Sequence, residues 1–153
     1  MSQGSGTTGG LAGSARFRSS VQLMIATSDL GHVPPNVQVE SWVPQAEVLP
    51  YVDLVVSHGG SGTVLGAIAN GLPQLMLPQG ADQFSNAGAV TAAGAGRQIL
   101  PGQLTATEIA EQADALLHDR GAFAAAAAVA AEIADMPPPA DVVNRLAVPA
   151  RQA

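Results

Sequence analysis

The feature that most constrains this chain is a change of hydrophobic rhythm across a glycine-rich turn. Asp53-Leu54-Val55-Val56-Ser57 reads as a short buried strand, His58-Gly59-Gly60-Ser61-Gly62-Thr63 as a turn, and the residues from Ser61 or Gly62 to Asn70 as an apolar helix. A strand that empties through glycines into a helix leaves free backbone N–H groups at the first helical turn. There the helix dipole favours negative charge, and missing Cβ atoms let a ligand approach the main chain. The segment predicts a binding place for a phosphate-bearing ligand.

The same alternation runs along most of the chain. Strands are expected over residues 21–27, 37–41, 54–57, 74–77 and 97–100, and helices over 44–51, 61–70, 82–93, 105–118, 121–136 and 140–146. Punctuation supports these limits. Pro44 suits a first helical turn, Gly71 and Pro73 close one helix and Gly94 and Gly96 another, and Pro137-Pro138-Pro139 breaks the alanine-rich one. Thr105 with Glu108 three residues on is a capping-box signature, and Asp82 is expected to cap the helix that follows it. Strands alternating with helices imply an α/β fold, a Rossmann-like parallel sheet with flanking helices. Such sheets bind ligands beyond the carboxyl ends of their strands. Thr27-Ser28, Trp42, His58 and Gln79 each follow an expected strand and are expected to share that rim. Residues 1–20 are rich in Gly, Ser and Thr and read as a flexible or truncated segment, 21–147 as one ligand-binding domain, and 148–153 as a tail.

Composition narrows the partners. A chain of 153 residues, 47% hydrophobic and 12% charged, is long and apolar enough for one globular core. Its net charge is −6 and its six basic residues are all arginine, which argues against nucleic acid or an anionic membrane as partner. A bound phosphate then depends on backbone N–H groups, the helix dipole, hydroxyls and His58. The absence of cysteine excludes disulfides and thiolate metal sites and fits a cytoplasmic location. No apolar run nears the roughly 20 residues that span a bilayer, and the start lacks the basic-then-apolar order of a secretory signal.

Three blocks in order, Trp42-Val43-Pro44-Gln45, His58 to Thr63, and Asp82-Gln83 with Asn86, resemble the donor-binding segment of the GT-B glycosyltransferases, most of all the bacterial enzymes that glycosylate antibiotics and other natural products. The resemblance runs from about Ala26 to about Leu146. It implies the C-terminal half of a GT-B enzyme and the following roles. Trp42, the only tryptophan, stacks on the pyrimidine base, the backbone of Val43 reads the base edge, and Gln45 touches the nucleoside or caps a turn. His58, Gly60, Ser61, Gly62 and Thr63 hold the diphosphate, while Asp82, Gln83 and more weakly Asn86 bind sugar hydroxyls. No metal and no cofactor is expected; the donor substrate is a UDP-sugar or dTDP-sugar. Many members carry a Glu, which binds ribose hydroxyls, where this chain has Gly66. The departure favours a dTDP-sugar, whose deoxyribose has one hydroxyl fewer.

The resemblance further implies an inverting transfer whose catalytic base lies in an N-terminal acceptor-binding domain, outside the matched segment. This chain is therefore expected to bind the donor without efficient turnover. The alternative is the donor subunit, or an assembly module, of a split glycosyltransferase that needs a separate acceptor-domain protein; self-association is also open to it. Each residue has a plainer reading: Trp42 and His58 as core residues, the glycines as a tight turn, and Asp82 as a cap alone. Other chemistries fit poorly. Gly4-Ser5-Gly6-Thr7-Thr8-Gly9 matches a dinucleotide fingerprint but has only three residues before it in place of a strand. His58-Gly59-Gly60 lacks the G-x-S-x-G elbow of an esterase, and His32, His58 and His118 have no metal-ligand spacing.

Overall fold

The structure, a computed structural model, describes residues 23–26, 32–33 and 35–146. They fall into two compact units that divide at the Pro44–Gln45 bond. The first unit holds β1 (Leu23–Ala26) and β2 (Val37–Glu40), paired in parallel with Leu23 opposite Val37 and Ala26 opposite Glu40. β2 ends one residue before the expected Ser41, and residues 21–22, Thr27-Ser28 and the Gly4–Gly9 motif lie outside the described residues. In β2 the half-buried residues are Val37 and Val39 and the exposed ones Gln38 and Glu40, the alternation that a strand with one covered face requires.

The second unit starts with α1 (Gln45–Val48), which tightens into a 3-10 turn over Leu49–Tyr51 where Pro50 interrupts the ladder. Then follow β3 (Val55–Ser57), α2 (Ser61–Ala69), β4 (Gln74–Met76), α3 (Gln83–Ala92) and β5 (Gly96–Gln98). After a 3-10 turn at Pro101–Gln103 come α4 (Ala106–Leu117), α5 (Arg120–Ala134) and α6 (Pro139–Leu146). The three strands pair in parallel in the order β3-β4-β5, with Val55 opposite Gln74 and Gln74 opposite Gly96. All three therefore end on the same edge.

β4 is covered on both faces. Met76 joins Val64 and Ile68 of α2, Ala87 and Val90 of α3, and Ala126 of α5. Leu75 points the other way, to Ile99, Leu116 and Ala122. A third cluster of Leu49, Ala67 and Leu72 ties the 3-10 turn to α2. Gln74, on the α2 side, is the one buried polar side chain among the described residues. Its Nε2 donates to the Val64 carbonyl at 3.2 Å, while its Oε1 has no partner.

Caps and an ion pair complete the frame. The Thr105 hydroxyl accepts from Glu108 N at 3.1 Å, which is half of the expected box; the Glu108 carboxylate accepts instead from Gln112 Nε2 at 2.9 Å. Asp119 caps α5, with Oδ1 accepting from Gly121 N and Ala122 N, so this helix starts one residue before the expected Gly121. Its Oδ2 lies 3.2 Å from Arg97 Nη2, which anchors β5 to the start of α5. The backbone donors, chiefly Ala122 N, and the Arg97 guanidinium hold the Asp119 carboxyl below the usual carboxylate range. No helix among the described residues is long and apolar enough to cross a membrane.

The closest approach in the sheet is at Gly96, where a Cβ would overlap the Gln74 carbonyl oxygen. Gly96→Ala is expected to cost about 2 kcal/mol or more in a urea unfolding experiment, since the obstacle is backbone. Gly88, inside α3, has nothing within 4 Å of where its Cβ would stand. Gly88→Ala is expected to raise stability by about 0.5–1 kcal/mol in the same experiment.

Candidate functional site

The strand order puts the β3–α2 and β4–α3 turns on one edge of the three-stranded sheet. His58 and Gln79 therefore share a rim, as their positions after strands predict. In the first of these turns Gly59 takes φ +86, a conformation that side-chain-bearing residues rarely adopt, and a Cβ there would stand 3.3 Å from the Gln83 carbonyl oxygen. The turn is tied down by Gly59 N donating to Ser57 Oγ at 3.1 Å. Gly60 is the N-cap of α2 and brings no capping side chain. The first intrahelical bond runs from Val64 N to the Gly60 carbonyl at 3.0 Å. The N–H groups of Ser61, Gly62 and Thr63 are thus left open at the positive end of the helix dipole.

His58 is exposed, with no hydrogen bond to the chain, and its ring lies over Gly60. A Cβ on Gly60 would stand 2.6 Å from His58 Nε2, so any larger residue there must push the imidazole aside. His58 is not a core residue. Neither is Trp42, which is 75% exposed. Trp42 and the half-buried Val43 belong to the first unit, just after β2.

Within the second unit the structure brings five of the other expected site residues into two groups. Gln45 Nε2 donates to Thr63 Oγ1 at 2.9 Å, which joins α1 to the first turn of α2 and leaves the Thr63 hydroxyl its own proton. Ser61, Asp82 and Asn86 form the second group. Ser61 Oγ donates to Asp82 Oδ2 at 2.5 Å, and Asn86 Nδ2 lies 2.9 Å from the Gly59 carbonyl, 3.1 Å from Ser61 Oγ and 3.2 Å from Asp82 Oδ2. The expected capping role of Asp82 is corrected here. Asp82 occupies the N-cap position of α3, but its backbone is already helical and its side chain makes no capping bond. The carboxylate turns to Ser61 and Asn86 instead.

Gln83 has a structural duty that its sequence position did not announce. Its Oε1 accepts from Gln79 N at 2.8 Å and Gly80 N at 3.1 Å, which leaves Nε2 as its open donor. These bonds hold the β4–α3 turn, where Ala81 is in the left-handed region at φ 50. Gly66 is packed rather than vacant: a Cβ there would stand 3.2 Å from Leu49 Cδ1. The i, i+4 spacing of Asp82 and Asn86 places the two on one helix face and is the signal for their contact. Nothing in the sequence signals the bond from Asn86 to Gly59, twenty-seven residues away. Among the described residues no cluster of His, Asp or Glu could hold a metal ion.

This sheet, with its open helix start behind a glycine turn, matches the C-terminal part of GT-B glycosyltransferases. The dTDP complex of the glycosyltransferase VinC superposes with a TM-score of 0.73 at 31% identity, over 76% of this chain and 29% of that one. The spinosyn rhamnosyltransferase SpnG in complex with thymidine diphosphate does so with a TM-score of 0.70 at 39% identity, over 76% and 32%. The elloramycin glycosyltransferase of Streptomyces olivaceus is 48% identical over 118 residues, 77% of this chain and 29% of that protein. A family profile described as "Erythromycin biosynthesis protein CIII-like, C-terminal domain" matches residues 19–148. The chain belongs to this family of natural-product glycosyltransferases. It spans about a third of the length of the relatives it matches.

The hydroxyl of Ser61, followed by the amide of Asn86, holds the Asp82 carboxyl below the usual carboxylate range. A depressed folded value means that these bonds stabilise the fold above the ordinary carboxylate value of about 4, and that this stabilisation is lost as pH falls through the lowered value. A carbon-detected titration of Asp82 is expected to give a midpoint below about 4 in the wild type. In Ser61→Ala the midpoint moves up toward the ordinary value. An unchanged midpoint would show that the Ser61–Asp82 bond does not form in solution.

Proposed function

We propose that this chain is the donor-binding domain of an inverting glycosyltransferase that takes a nucleoside-diphosphate sugar, a dTDP-deoxysugar, for transfer to a natural-product acceptor. The observation that carries the reading is the uncapped start of α2. Its open N–H groups follow a glycine N-cap, and the exposed His58 imidazole lies beside them. Gly60, Ser61, Gly62 and Thr63 surround the diphosphate through N–H and hydroxyl donors, with His58 against it. Asp82 and Gln83 face the sugar hydroxyls. Trp42 stacks on the base, the Val43 backbone reads its edge, and Gln45 supports the nucleoside. Residues 21–147 make up the domain.

In the reaction an acceptor hydroxyl, deprotonated by a base outside this chain, attacks the anomeric carbon from the face opposite the leaving group. The carbon–oxygen bond to the nucleoside diphosphate breaks, and the charge that grows on the diphosphate is met by the helix start. These donors neutralise the leaving group without a metal. The base and the acceptor site belong to an N-terminal domain or partner protein. By itself the chain holds and polarises the donor without efficient turnover.

Two observations favour dTDP over UDP. The relatives VinC and SpnG are both described in complex with thymidine diphosphate. Gly66, which has no side chain to meet a ribose hydroxyl, stands where the resemblance puts the family's ribose-binding Glu. Calorimetric titration of the chain is expected to show saturable dTDP binding, with UDP weaker. Trp42→Ala and His58→Ala are each expected to weaken dTDP about tenfold or more, the first from a lost stacking contact worth roughly 1–3 kcal/mol. Tighter binding of UDP would overturn the choice of nucleotide, and a folded chain that binds neither nucleotide would overturn the donor reading.

A further inference from the structure

The geometry points to Asn86 as a positioning residue that sets the aim of the anion-binding turn, rather than as a contact for the sugar. This rests on the donor-site reading above. All three atoms around Asn86 Nδ2 are acceptors in the required sense: the Gly59 carbonyl oxygen, the Asp82 carboxylate, and Ser61 Oγ, whose single proton is given to Asp82. That chemistry fixes the orientation of the amide, since its oxygen turned inward would face a carbonyl and a carboxylate. One N–H serves Gly59 and the other is shared between Ser61 and Asp82, so both protons are spent inside the chain.

The bond to Gly59 has a directional consequence. The C=O and N–H of a trans peptide point opposite ways, and the described residues contain no cis bond. With the Gly59 carbonyl drawn toward α3, the N–H of Gly60 faces away from α3. It has no partner in the chain and stands next to the open N–H groups of α2. Gly59 at φ +86 has no side chain to hold that peptide plane, so the plane is held from outside by Asn86, while Ser57 Oγ holds the preceding His58–Gly59 peptide through Gly59 N. The same amide ties Ser61, the first residue of α2, to Asp82 at the start of α3. A ligand that moves Asp82 therefore acts on the turn through Ser61 and Asn86, which couples the sugar and diphosphate sides of the site.

The test uses Asn86→Ala and Asn86→Asp, with amide spectra recorded before any ligand is added. Both are expected to shift the Gly59, Gly60 and Ser61 amide signals and to speed their hydrogen exchange, while β4 and α5 signals stay in place. The ratio of dTDP to dTMP affinity is expected to fall about tenfold, with dTMP binding unchanged. Ser61→Ala, at an exposed position, gives a smaller change in the same direction and covers the case in which an Asn86 variant does not fold. Wild-type turn signals in Asn86→Ala, or a loss confined to a dTDP-sugar with dTDP unaffected, would overturn the assignment. If the wild type binds no nucleotide the donor reading fails, and the amide signals still decide the role of Asn86.

Discussion

The second unit depends on burying β4 on both faces. Three residues, Gln74, Leu75 and Met76, are fully enclosed; α2 and α3 cover one side of the strand, α4 the other, and α5 reaches both. A strand so placed must be flanked by parallel neighbours, because the crossing helices are what cover it. The cover is close enough that β5 can approach only through Gly96, whose missing side chain admits the Gln74 carbonyl. From this one constraint follow the common direction of β3, β4 and β5 and the gathering of their exit turns on one edge. The open start of α2 and the Asp82–Asn86 stretch are brought together by the core beneath them.

What the rim presents differs from an inventory of its polar side chains. Ser61 has a hydroxyl but gives its proton to Asp82, Gln83 spends its oxygen on the turn before it, and Asn86 spends both of its protons. The donors left over belong mostly to the main chain. This suits the proposed role at a leaving diphosphate, since fixed dipoles need no rearrangement as charge develops. It also divides the conspicuous residues by duty: some form the turn, and others stand open to a ligand.

Much of the fold was legible because its signals are local. Gly71, Gly94 and the Pro137-Pro138-Pro139 run end helices where they stand, and Thr105 caps α4 as its neighbour at 108 predicts. The strand edges were less legible; β5 ends at Gln98, short of the Leu100 that local propensity allowed, because pairing with a neighbour decides where a short strand stops. Two features escaped for the same reason. The pairing of Asp119 with Arg97, which comes from a distant strand, has no local signal. Nor does the sequence mark Gln74 as a strand polar whose side chain is enclosed against α2. In the site the family resemblance named the blocks around His58 and Asp82, which the structure brings to one rim, but not the internal bonds that set apart Ser61, Gln83 and Asn86.

The alanine-rich α5 packs through Ala122 and Ala126, one in each of the clusters that sandwich β4. Methyl groups have no rotamers to freeze, so this helix docks at almost no side-chain entropy cost. They also look alike from one turn to the next, and a surface of repeating methyls gives weak discrimination against slippage along the helix axis. The discrimination comes from the polar start of the helix, where Asp119 accepts from two backbone N–H groups and meets the guanidinium of Arg97. The apolar face of α5 supplies adhesion, and a single carboxylate supplies its address.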